Sequence, residues 1–206
     1  KYKILQHIIP AFPEGINNFV DLFAGGLNVG INVSANTIYA NDQITYLIEL
    51  YSFFQEQKIE DLLQDIKERI EFFGLSDTNA DGYLALRKEY NSSKKILDLF
   101  LLTCFSFNQQ IRFNSKHEFN TPFGKERSAY NPTIEYNLVR FVQALQSKKF
   151  VFSNLDFTRF DFSILNPGDL VYCDPPYLIT TGSYNDGKRG FKDWTEVEEG
   201  QLLNLL

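Results

Sequence analysis

Two parts of the chain share a pattern that restricts the fold more than any other feature: a short apolar run that ends on a carboxylate at a tight turn. Residues 18–23 are such a run and continue into Ala24-Gly25-Gly26, while residues 37–42 are a second, ending on Asp42. The segment between them, 27–34, has the make-up of a short helix, so this part is expected to form a strand–turn–helix–strand unit of the doubly wound type. The pattern returns at 150–153, which lead to Asn154-Leu155-Asp156-Phe157. It returns again at 169–173, a buried-strand pattern that ends on Asp174-Pro175-Pro176-Tyr177.

Between these parts the apolar residues recur at helical spacing. Leu47, Leu50 and Phe54, then Ile59, Leu62, Leu63, Ile66 and Ile70, predict helix over 43–73. Asn79-Ala80-Asp81-Gly82 reads as a turn, followed by helices over 83–90, 94–105 and 134–146. Residues 108–132 are polar with scattered aromatics and read as an ordered loop or hairpin. Residues 182–190 hold three glycines and read as a flexible loop before Trp194 and a closing helix. The expected division is an α/β part over 1–54, an insert over 55–148 and a second α/β part over 149–206.

Composition narrows the class. Hydrophobic residues make up 44% and charged residues 22% of the 206 positions, which excludes a disordered or collagen-like chain. The longest mostly apolar run, Leu99 to Phe107, is about half of what a membrane span needs. Two cysteines and two histidines, at no metal-ligand spacing, predict no metal site, and the isolated thiols fit a cytoplasmic protein. His7 and His117 read as plain surface or loop histidines and Cys104 as a small core residue. The chain has no methionine, and only about 29 residues follow Tyr177, so a piece of a longer reading frame is expected. The net charge of −6 hides a split: residues 85–150 hold eleven Lys and Arg against five acids, so they carry +6 and the remainder −12. A basic segment on an acidic body suits a polyanionic partner, or simply a solvated basic face.

Two motifs carry chemistry. At Asp174-Pro175-Pro176-Tyr177 the prolines preset the backbone and remove two N–H donors, leaving carbonyls for an amino group to donate to. By composition this tetrapeptide occurs by chance in about one in a thousand chains of this length. A carboxylate, a fixed carbonyl and an aromatic face suit an exocyclic amine on a base. Asp174 and the Pro175 carbonyl would accept its two protons and free the lone pair, with Tyr177 stacked on the ring. Cys173 would face away from this site. The second motif, Asp21-Leu22-Phe23-Ala24-Gly25-Gly26-Leu27-Asn28-Val29-Gly30, is a glycine loop after a first strand. Leu27 stands where a dinucleotide fingerprint needs its middle glycine, and no phosphate-loop lysine follows, so the ligand is nucleoside-like without a pyrophosphate. Asp42 is placed to accept from ribose hydroxyls.

The order of glycine loop, acidic second strand, helical insert and Asp-Pro-Pro-Tyr resembles the Dam-like DNA adenine-N6 methyltransferases over nearly the whole chain. Arg112-Phe113-Asn114-Ser115-Lys116-His117-Glu118-Phe119-Asn120-Thr121-Pro122-Phe123-Gly124 is similar to that family's target-recognition stretch, and Lys1-Tyr2-Lys3-Ile4-Leu5 to the end of its N-terminal cofactor segment. The resemblance implies a Rossmann-like α/β sheet with an inserted, mostly helical DNA-recognition domain. It implies S-adenosylmethionine as methyl donor, S-adenosylhomocysteine as product and double-stranded DNA as substrate. Lys1 would neighbour the methionine end of the cofactor. Asp21, Phe23, Ala24, Gly25, Gly26, Asn28 and Val29 would cradle it, Asp42 would hold its ribose, and Asp156 with Phe157 would frame its adenine. Asp174 would lie between cofactor and target base, with Pro175, Pro176 and Tyr177 beside it.

A target base inside a duplex must be flipped out, and the vacated space is often filled by a side chain. Phe113 is the candidate wedge, with a loop-anchoring core aromatic as the alternative; Phe119 and Phe123 read as the latter. Arg112, Asn114, Lys116, Asn120, Lys125 and Arg127 are the candidate DNA contacts. No Pro-Cys nucleophile is present, so transfer would be direct. GATC is the first expectation for the site, and a cognate restriction endonuclease is an expected companion. The other readings are methylation of cytosine N4, RNA adenine or a protein glutamine, and an inactive DNA-binding fragment.

Overall fold

The computed structural model describes residues 4–177 and 194–205. Within these, four strands form one parallel sheet: β1 (Asn18–Asp21), β2 (Thr37–Asn41), β3 (Phe150–Ser153) and β4 (Leu170–Tyr172), in the order β3-β2-β1-β4. β1 pairs with β2 in a register that sets Asp21 beside Ala40, and with β4 so that Asp21 lies beside Tyr172. The chain builds outward from β1 through β2 to β3 and then returns to the other side of β1 with β4. The strand order therefore reverses between β1 and β4, and open α/β sheets take their ligands at that switch point, outside the carboxyl ends of the strands. Parallel strands buried on both faces need apolar residues on both; Phe19, Val20, Ile38 and Ala40 are fully buried.

The helices are α1 (Leu5–Ile8), α2 (Thr45–Glu56), α3 (Ile59–Phe73), α4 (Ala80–Ser93), α5 (Ile96–Phe105), α6 (Pro132–Gln146) and α7 (Glu196–Leu205). The helical periodicity of 43–73 holds, broken between α2 and α3. Asn79 to Gly82 is not a turn: Asn79 caps α4, its side-chain oxygen accepting from the Gly82 amide at 3.1 Å, which starts the helix three residues before the expected point. Residues 27–34 also depart from expectation. They form successive turns rather than a helix, because Leu27 adopts a left-handed φ of +56° and the Gly30 amide is drawn to the Asp21 carboxylate at 3.0 Å. Lys148 then donates to the carbonyls of Ile31 and Val33, both at 2.7 Å, and burial pushes its ammonium pKa down.

The described residues divide into two compact units, 4–51 with 144–177 and 194–205, and 52–143. In the first, Val20, Leu22, Phe157, Phe160 and Leu202 form a buried cluster on one side of the sheet. In the second, α5 is apolar apart from Asp98 and Thr103 and buries Leu97, Leu99, Leu101, Leu102, Cys104 and Phe105, as the central helix of a small bundle must. Its Asp98, fully buried, accepts from the Nε and Nη2 of Arg69.

Of the residues 108–132 expected to form an ordered loop or hairpin, those up to Phe123 are hairpin-like, and Pro132 already begins α6. Two antiparallel bridges, Ser106 with Phe123 and Phe113 with Phe119, hold the hairpin-like segment. The buried Tyr83 hydroxyl donates to the Thr121 carbonyl at 2.8 Å. Lys1 and residues 182–190 lie outside the described residues.

Candidate active site

The carboxyl ends of all four strands carry the sequence-identified groups, and the backbone shows why. Asp21 ends β1 at 2% exposure, and its carboxylate accepts from Gly30, which closes residues 21–30 into a compact loop. A Cβ at Gly30 would come 3.2 Å from that carboxylate and 3.3 Å from Leu27 Cδ1, so a side chain here would crowd the close turn. Gly25 sits at φ +47°, a left-handed value that glycine adopts without strain. Both sides of its peptide are held. The amide donates to Asp42 Oδ2 at 2.7 Å, and the carbonyl accepts from the Tyr51 hydroxyl at 2.6 Å. Asp42 also accepts from the Ile44 amide at 2.8 Å, which fixes the plane of its carboxylate at the end of β2.

Two residues that sequence reasoning passed over complete this end of the sheet. Tyr51 is one; burial first, then the charges of Asp42 and Asp21, push its phenol far above the usual range, so it stays a donor. Asn41 is the other. At 1% exposure its amide donates to the carbonyls of Leu22 and Leu155 and accepts from the Leu155 amide and the Ser153 hydroxyl. It thereby ties the ends of β1, β2 and β3 together. The only sequence signal for it was a polar residue in a buried strand beside Asp42.

Asp156 caps a single 3₁₀ turn, Phe157–Arg159, accepting from the amide and hydroxyl of Thr158 and from Gln43 Nε2 at 3.2 Å. Phe157 is buried, its ring 5.4 Å from Phe23 and 5.3 Å from Trp194, so these three aromatics form one wall beside the glycine loop. Ala24 and Val29 are buried, Asn28 is half-buried and Gly26 is exposed.

β4 delivers the second motif. The strand is half-buried rather than buried, and leads straight into Asp174. The Asp174 carboxylate faces two phenols, Tyr172 at 3.4 Å and Tyr177 at 3.3 Å. Tyr177 is 64% exposed. Burial, then the Asp21 charge, raise the Tyr172 phenol and push the Cys173 thiol to about 11, so neither ionises near neutral pH. Cys173 packs against the cluster under the sheet.

The residues fit a nucleoside-type ligand. Gly25 and Gly26 bare the backbone where a ligand must approach closely, and a carboxylate locked in plane suits vicinal hydroxyls. Among the described residues no group of three His, Cys, Asp or Glu is placed to hold a metal, and no helix is long and apolar enough to cross a membrane.

In the second unit, Arg112, Lys116, Asn120, Lys125 and Arg127 are exposed. Lys125 lies 4.0 Å from Glu126, and the Arg127 guanidinium 5.8 Å from the Phe107 ring. Two candidates behave otherwise. Phe113 is 5% exposed, packed at 5.8 Å from Phe119 and 6.4 Å from Tyr90, so it is a core aromatic here and not a projecting wedge. Asn114 spends its side chain inside the loop, accepting from the amides of Lys116 and Glu118 and donating to the Glu118 carboxylate.

A parallel sheet with a glycine loop leaving one strand and an Asp-Pro-Pro-Tyr turn leaving its neighbour, across a switch point, is the Rossmann-like architecture of methyltransferases. The chain belongs to the D12 class N6 adenine-specific DNA methyltransferase family, which it matches over residues 1–206. It is 52% identical over 206 residues to the Type II methyltransferase M.FokI of Planomicrobium okeanokoites, covering 100% of this chain and 32% of that protein. The Modification methylase StsI of Streptococcus sanguinis is 51% identical over 206 residues, with the same 100% and 32% coverage. A DNA adenine methylase of Haemophilus influenzae is 32% identical over 181 residues, 86% of this chain and 60% of that protein. The chain thus spans about a third of the length of the two modification enzymes.

Proposed function

We propose that the protein transfers a methyl group from S-adenosylmethionine to the exocyclic amine of adenine in a specific duplex DNA sequence. One observation carries this reading: the glycine loop and the Asp-Pro-Pro-Tyr turn leave adjacent parallel strands, β1 and β4, at the same end of the sheet. A nucleoside ligand on the first and an amine at the second would meet at the switch point. The bound cofactor supplies an electrophilic methyl group on a sulfonium sulfur. Asp21 to Val29 and Asp42 would orient that cofactor, with the Phe23, Phe157 and Trp194 wall and Asp156 framing its adenine. Asp174 and the Pro175 carbonyl would accept hydrogen bonds from the two N–H groups of the target amine, which turns the nitrogen lone pair out of conjugation and towards attack; as the N–C bond forms and the S–C bond breaks, the nitrogen gives up one proton and S-adenosylhomocysteine leaves. Pro176 stiffens the turn, and Tyr177 stacks on a base flipped from the duplex.

The exposed Arg112, Lys116, Asn120, Lys125 and Arg127 are the DNA contacts in this reading, with Asn114 shaping the loop that presents Lys116. They include four of the eleven cations in the basic middle of an acidic chain. GATC is the first sequence to test. A restriction endonuclease of matching specificity is the proposed companion, and the cytoplasm the proposed compartment.

The test incubates the full-length protein with unmethylated genomic DNA and S-adenosylmethionine and maps modified bases by sequencing, beside an Asp174→Ala control. N6-methyladenine at one short motif, absent from the control, is the expected result. Methylation retained by Asp174→Ala, or methyl groups found only on cytosine, RNA or protein, would refute it.

A further inference from the structure

The hairpin that carries Arg112, Lys116 and Asn120 is short. Its hydrogen bonds run from the Asn120 amide to the Arg112 carbonyl at 3.0 Å and from the Asn114 amide to the Glu118 carbonyl at 2.9 Å. Phe113 and Phe119 stand opposite each other as a non-hydrogen-bonded pair, so the amide and carbonyl of Phe119 point away from the other strand. A two-stranded hairpin of this size is marginal by itself. Here a side chain takes the place of a third strand. Asn91, near the end of α4, accepts from the Phe119 amide at 2.7 Å and donates to the Phe119 carbonyl at 3.1 Å. Three residues on, Lys94 donates to the His117 carbonyl at 2.8 Å, gripping the turn where His117 takes a left-handed φ of +60°. Neither Asn91 nor Lys94 belongs to the recognition stretch.

We infer that Asn91, assisted by Lys94, is a positioning residue for sequence recognition: it fixes the attitude of the 112–120 hairpin on α4 and thereby decides which bases its side chains reach. The inference rests on the DNA methyltransferase reading above. An amide is the one side chain that both donates and accepts in the plane a peptide presents. Alanine loses both bonds, and aspartate loses the donor. The loosened hairpin would still bear every contact residue, but in several attitudes. Affinity for the target would fall and near-matching sites would gain on it, while the cofactor loop in the other unit would be untouched.

The experiment compares wild type, Asn91→Ala and Lys94→Met as full-length proteins. It measures kcat and KM for a duplex with the mapped site, the ratio of rates on target and single-mismatch duplexes, and S-adenosylhomocysteine affinity by calorimetry. Asn91→Ala is expected to raise the DNA KM about tenfold and to narrow the target-to-mismatch ratio by a similar factor. kcat at saturating DNA and calorimetric affinity should stay within about twofold of wild type. Lys94→Met should shift the same two quantities in the same direction by about threefold. An unchanged KM and ratio in folded Asn91→Ala overturns the inference, as does a loss confined to kcat. If Asn91→Ala does not fold, an unchanged Lys94→Met overturns it instead. A wild type that methylates no DNA adenine refutes the functional reading itself, and the inference falls with it.

Discussion

Tyr51→Phe isolates the grip on the glycine loop. The substitution removes one atom, the hydroxyl that donates to the Gly25 carbonyl at 2.6 Å, and leaves the ring near Phe152, with centroids 5.9 Å apart. Gly25 would still be held through its amide by Asp42 and the loop closed by Gly30 on Asp21, so Gly25 loses one of its two described hydrogen bonds. A lost bond to a poorly hydrated carbonyl costs about 1–2 kcal/mol, which is roughly a 5- to 30-fold change in an equilibrium constant. The loop lies where the cofactor is proposed to bind, so S-adenosylhomocysteine should bind about tenfold more weakly by calorimetry. The melting temperature should fall by about 2–8 °C, from the same free energy spread over a chain of this size. The phenol pKa is raised by burial and by the nearby carboxylates. A raised group contributes fully below its unfolded pKa and loses its contribution only as pH rises through the folded value. The Tyr51→Phe deficit should therefore be constant between about pH 6 and pH 9, below the ordinary tyrosine pKa. Cofactor affinity within twofold of wild type, or a deficit that changes across that range, would refute the argument.

Two further outcomes follow from the described contacts. Arg69→Met leaves the fully buried Asp98 carboxylate without its guanidinium. It should cost about 3–5 kcal/mol in urea denaturation, and adding Asp98→Leu should recover most of the loss. A single-variant loss below about 1 kcal/mol would contradict the burial. Burial also pushes the Cys104 thiol to about 12 and, with the Asp21 charge, the Cys173 thiol to about 11. Alkylation of the folded protein at about pH 8 should be far slower than that of the unfolded chain. Mass spectrometry showing Cys173 modified at the free-cysteine rate would contradict this.

What could be read from residue order is what local chemistry decides. Apolar runs of strand length, the glycines of 25 and 26, the paired prolines and the helical spacing of 43–73 constrain the backbone within a few residues, so the strands and their terminal carboxylates were legible before any contact was known. The same applies to Cys104 and to the exposed cations of 112–127. What tertiary structure decided are the partnerships between distant segments. Tyr51 meets Gly25 across 26 positions, Asn41 meets Leu155 across 114 and Asn91 meets Phe119 across 28. None has a local signature, because a hydrogen bond between remote segments depends on the packing that brings them together. The same cause overrode local preference twice. Asp21 drew the Gly30 amide and turned a helical pattern into turns, and Phe113 sank against Tyr90 and Phe119 although its neighbours in sequence are polar. Chain order wrote the chemistry at the ends of the strands, and packing settled which side chains hold that chemistry in place.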